Sequence, residues 1–84
     1  DMEYHFKAAE ELLKKGLFKE SVDEFLVCLK INDMHIPAIV GISKAYESLG
    51  DNQLAESYRK VARSALTKMW DKKIEAEMRK HYSL

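Results

Sequence analysis

Two glycines, Gly16 and Gly50, stand 34 residues apart, and each closes one stretch of helical apolar periodicity and opens another. Glycine is the residue that stops a helix at no steric cost, because it enters the left-handed region that a Cβ penalises. Sliding the chain on itself by 34 residues lays Ala9 on Ser43, Leu12 on Tyr46, Ser21 on Ala55 and Cys28 on Ala62. Small residues fall on small ones and large on large. That is the pattern required where two helices of a hairpin approach closely and a bulkier side chain fills the space beside them. With three glycines and one proline in 84 residues, 46% hydrophobic and 33% charged, the expected fold class is all-α, in one domain with a single modest core.

The first unit, residues 2 to 33, reads as a helix from Met2 to Lys15, a turn at Gly16, Leu17 and Phe18, and a second helix from Lys19 to Ile31 with Val22, Phe25, Leu26 and Leu29 on its buried stripe. The second unit, residues 36 to 66, reads as a helix from Ile36 to Leu49, with Pro37 in its first turn, and then a helix capped by Asp51 or Asn52. In this last helix Leu54, Tyr58, Val61, Ala62, Ala65 and Met69 share one side. A C-terminal extension over 67 to 82 brings the expectation to about five helical segments.

The stretches AEELLKKGLFKESVDEFLVCLKIND and AIVGISKAYESLGDNQLAESYRKVARSAL resemble tetratricopeptide repeats. The resemblance covers roughly residues 2 to 66, with departures: Arg59 stands where the late aromatic of unit one is Phe25, Asn52 stands where the turn aromatic is Phe18, and Asp33 replaces the proline common at a repeat's end. The resemblance implies antiparallel helix pairs stacked into a curved array whose inner wall, built from the first helix of each pair, holds a peptide or a partner helix. By register that wall carries Glu3, Phe6, Glu10 and Leu13 from unit one and Val40, Lys44 and Glu47 from unit two. Such a groove is apolar and acidic, suited to an apolar or basic segment. The variant that grips the acidic tails of chaperones needs lysine and asparagine on this wall, and Phe6, Glu10 and Val40 argue against it. Two repeats are also fewer than such arrays need, so residues 66 to 84 are expected to supply the missing surface or to take it from another chain.

After Gly50 there is no further glycine or proline, so one helix can run from Asn52 to Tyr82. Thr67 and Asp71 could cap a new helix there, yet the residues from Ala65 to Lys73 favour continuity. In a continuous helix Trp70, Ile74, Met78 and Tyr82 form an i, i+4 ladder on a different side from the first stripe. Left exposed, such a ladder is an association surface, and self-association as a homodimer is the expectation.

Other chemistry is poorly represented. His5, His35 and His81 are far apart, Gly16 and Gly50 are isolated, and the acidic pairs Glu10-Glu11 and Asp23-Glu24 diverge by about 100° on their helices. No catalytic residue, metal or cofactor is expected, and Cys28, the one cysteine, reads as a small core residue. The lone cysteine, the absence of an 18-residue apolar run and the want of a leader pattern suggest a cytoplasmic protein, and the start at Asp1 suggests a piece of a longer one. Charge is uneven: six Lys/Arg against eleven Asp/Glu over residues 1 to 56, and eight against three over 57 to 84. The basic tail makes a nucleic-acid-binding accessory domain the alternative to a protein-interaction module, disfavoured because its cations divide between helix faces.

Overall fold

The computed structural model describes residues 1–82, with side chains through Lys80. Four helices follow one another: α1 (Met2–Lys14), α2 (Phe18–Ile31), α3 (Ile36–Ser48) and α4 (Asn52–Tyr82). Among the described residues the fold is all-helical, with four elements rather than about five, because the extension over 67 to 82 is the continuation of α4. Thr67, a candidate cap for a separate helix, instead donates its hydroxyl back to the Arg63 carbonyl one turn earlier, at 2.9 Å. A hydroxyl satisfied inside the helix does nothing to end it.

The two turns are built alike. Gly16 and Gly50 have φ of 78° and 82°. Around them the amides of Gly16 and Leu17 donate to the carbonyls of Leu13 and Leu12 at 3.1 and 2.9 Å. Thirty-four residues later Gly50 and Asp51 donate to Glu47 and Tyr46 at 3.0 and 2.9 Å. Both are the reciprocal bond pair of a glycine-terminated helix. The Asp51 carboxylate caps α4 by accepting from the Leu54 amide at 3.0 Å, as its sequence position predicts.

Helix α1 packs on α2, α2 on α3 and α3 on α4, while α1 and α3 touch only marginally. The main core joins Ala9 of α1, Val22, Phe25 and Cys28 of α2, and Ala38, Ile42 and Ala45 of α3. A smaller one joins Ile39 to Ala62 and Ala65 of α4. Ser21 is fully buried between α1 and α2, and its hydroxyl donates to the Ala9 carbonyl at 2.8 Å. The face of α4 that meets α3 combines three buried alanines, Ala55, Ala62 and Ala65, with the half-buried Tyr58, whose ring stacks on Tyr46 of α3 with centroids 5.8 Å apart. Leu54 and Val61, expected on the buried stripe, are instead exposed. Alanine admits the neighbouring backbone, whereas a leucine there would hold it off.

The principal extents are 51 × 29 × 18 Å and the radius of gyration is 15.5 Å, against about 12 Å for a compact chain of this size. The excess is α4, whose 31 residues span about 46 Å. Every residue from Leu66 to Lys80 is exposed, so this segment adds little cover to the body, although Lys68, Met69, Asp71 and Lys72 line a shallow pocket with Met34. Of the two expectations, supplying the missing surface or taking it from another chain, the first is not met. No described helix is long and apolar enough to cross a membrane.

Candidate functional site: the outer face of α3 and α4

Helical spacing places Arg59, Arg63, Leu66 and Trp70 on one face of α4, since steps of four and seven residues return to the same side. That face changes character along its length. Over its first turns it is ionic: Arg59 bonds Glu47 of α3 at 3.0 Å and Glu56 at 2.9 Å, and Arg63 bonds the other oxygen of Glu56 at 2.9 Å. Hydrogen bonds from Arg59 and Arg63 hold the Glu56 carboxyl below the ordinary glutamate range, and the Arg59 guanidinium is correspondingly raised by Glu56. Beyond Arg63 the face turns apolar. Leu66 is 59% exposed, Trp70 60%, Ile74 41% and Met78 46%. The side chain of Tyr82, the fourth member of the expected ladder, lies outside the described residues.

Next to the ionic stretch, a groove of about 420 Å³ opens between α3 and α4, lined by Val40, Ser43, Lys44, Glu47, Arg59, Ala62 and Arg63. Three of the seven residues expected on an inner wall, Val40, Lys44 and Glu47, are therefore brought together. Their companions are cations of α4, which the sequence reading did not assign to any site. The other four are elsewhere. Phe6 packs against the rings of Phe25 and His35, with centroids 5.8 and 5.3 Å away, and Leu13 packs on the main core. Glu3 is exposed and paired with Lys7 at 3.2 Å, and Glu10 is exposed. No single groove collects all seven. The signal for Arg59 and Arg63 lay in the 34-residue offset, which sets them opposite Phe25 and Leu29.

The remaining polar groups are structural in geometry. The His5 Nδ1 lies 2.6 Å from Glu24 and its ring is edge-on to Tyr4. His35 caps α3 by accepting from the Ala38 amide at 3.2 Å. Cys28 is fully buried, its thiol donating to the Met2 carbonyl at 3.5 Å, and burial, with Glu24 second, pushes the thiol up from its ordinary range. Among the described residues no cluster of three or more His, Cys, Asp or Glu could hold a metal ion. On the tail, Lys72 and Arg79 share one side of α4, while Lys73 and Lys80 share another about 100° away. Arg79 is bonded to Glu75 at 2.9 Å.

No protein-family model, curated protein sequence or solved structure matches this chain.

Proposed function

We propose that the chain is a tetratricopeptide-like protein-interaction module that recognises other polypeptides without catalysis and pairs with a second copy through the outer turns of α4. The observation that carries this reading is the row formed by Leu66, Trp70, Ile74 and Met78 on a helix that projects beyond the body. Single exposed leucines need no explanation, but four large apolar side chains in one i, i+4 row are a contiguous patch. The two hairpins at a 34-residue offset, closed by the same glycine geometry, support the repeat architecture.

The energetics favour a weak dimer. Burying the exposed half of these side chains gains about 1 kcal/mol each, about 8 kcal/mol for eight. Rigid-body and ordering losses take back about half or more. A dissociation constant of about 1 mM or weaker follows. Sedimentation equilibrium over a concentration series is expected to show a monomer–dimer equilibrium, lost in Trp70→Ala/Ile74→Ala. A chain that stays monomeric at about 5 mM, with Trp70 emission unchanged by concentration, would refute the pairing.

A further inference from the structure

The groove between α3 and α4 has a filled counterpart in the same molecule. Subtracting 34 from its lining carries Val40 to Phe6, Ser43 to Ala9, Glu47 to Leu13, Arg59 to Phe25, Ala62 to Cys28 and Arg63 to Leu29. Those six residues of α1 and α2 belong to the cluster on which α3 is seated through Ala38, Ile42 and Ala45. The groove is thus the position a further helix would take after α4, related to α3 as α3 is to α1. Its floor has the same construction, with buried Ser43 and Ala62 where the filled seat has Ala9 and Cys28. Small residues in the floor are what lets a helix approach.

The rim differs. Where the filled seat offers Phe25 and Leu29, the open one offers Arg59 and Arg63, and Lys44 replaces Glu10. Three cations therefore meet two carboxylates, Glu47 and Glu56. Both carboxylates are already bonded to the arginines, and Lys44 is exposed with no ion-pair partner among the described residues. Two occupants from this chain are excluded by charge. The basic tail of a second copy would bring lysines to this rim, and α1 of a second copy would set Lys7, the counterpart of Gly41, against Arg59.

We propose that the groove between α3 and α4 is a helix-docking seat for a partner protein's amphipathic helix of about the length of α3, whose docking face carries carboxylates beside small residues. The α4 cations thus reverse, at this end of the molecule, the basic preference expected of an acidic wall. The seat is separate from the Leu66 to Met78 row, so its test is run in the Trp70→Ala/Ile74→Ala background and does not depend on dimerisation.

The probe is a peptide of residues 35–49 carrying Ala38→Glu and Ala45→Glu, with Val40→Glu added so that its carboxyl condenses with the Lys44 amine, losing water, to form a lactam staple. Stapling lowers the ordering cost of docking. The two substitutions charge the docking face and bar the peptide from displacing α3, whose Ala38 and Ala45 are fully buried. The control peptide carries Ala38→Lys and Ala45→Lys. Titration by NMR is expected to show the acidic peptide binding at least about tenfold more tightly, a difference of about 1.4 kcal/mol, with shifts concentrated at Val40, Ser43 and Ala62, because like charges set against the rim cations are disfavoured and opposite ones favoured. In Lys44→Glu/Arg63→Glu the preference is expected to invert, and in the milder Lys44→Gln to shrink. Equal binding of both peptides, no binding of the acidic one up to about 1 mM, or shifts away from the groove would overturn the proposal.

Discussion

Gly41 is a mid-helix glycine whose removal ought to stabilise an isolated helix and is expected to destabilise this protein. Alanine gains about 1 kcal/mol over glycine in a helix interior. At Gly41, however, an added Cβ would stand 2.3 Å from Phe25 Cζ and 2.6 and 2.7 Å from its two Cε atoms. Ordinary carbon contacts begin near 3.5 Å, so ring and helix must part by more than an ångström. Phe25 has little room: it is 1% exposed and in ring contact with Phe6. Overpacking of this kind costs about 1–3 kcal/mol and occasionally more. With a rigid aromatic as the obstacle the upper part of that range applies, leaving Gly41→Ala about 1–2 kcal/mol less stable after the propensity gain. For a chain of this length the melting temperature then falls by roughly 5–15 °C.

A double-mutant cycle with Phe25→Leu isolates the cause. Phe25→Leu alone costs about 1 kcal/mol, but it removes the atoms the new methyl meets, so Gly41→Ala in that background should raise stability by up to about 1 kcal/mol. The coupling is about 2–3 kcal/mol, read from urea unfolding followed by circular dichroism at 222 nm. Stabilisation by Gly41→Ala in the native background, or the same effect in both, would refute the account of α2 and α3 packing.

The ion cluster on α4 has a pH signature. The folded-state pKa of Glu56 is depressed by Arg59 and Arg63, so its contribution is fully present above the ordinary glutamate value of about 4.3 and disappears as pH falls through the lowered folded value. Melting temperatures from pH 6 to 3 should fall less steeply in Glu56→Gln than in the native chain, and parallel curves would exclude the cluster as a source of acid lability. Cys28 should react with an aromatic disulfide reagent only as fast as the protein opens, because the thiol is buried and its thiolate disfavoured. Rapid stoichiometric labelling under native conditions would contradict its place in the core.

What local chemistry controls was legible in the amino-acid sequence. Helix class followed from periodicity, and both turns from glycines that alone accept positive φ without cost, whereas the lack of any breaker after Gly50 favoured an unbroken α4 without deciding between it and a separate fifth segment. The burial of Val22, Phe25 and Cys28 followed from the side of α2 they share. Tertiary structure decided what depends on which surfaces face one another. Gly41, read in sequence only as part of a low glycine count, becomes a packing contact because α2 delivers Phe25 to it. Phe6 and Leu13 pass from an expected wall into the core, while Val40, Lys44 and Glu47 acquire Arg59 and Arg63 as neighbours. Periodicity fixes the angle of a side chain about its own helix axis and carries no information about the helix opposite. The offset of 34 residues ranks positions as equivalent, but only the packing shows that α3 fills one of two equivalent seats and that the other stands open.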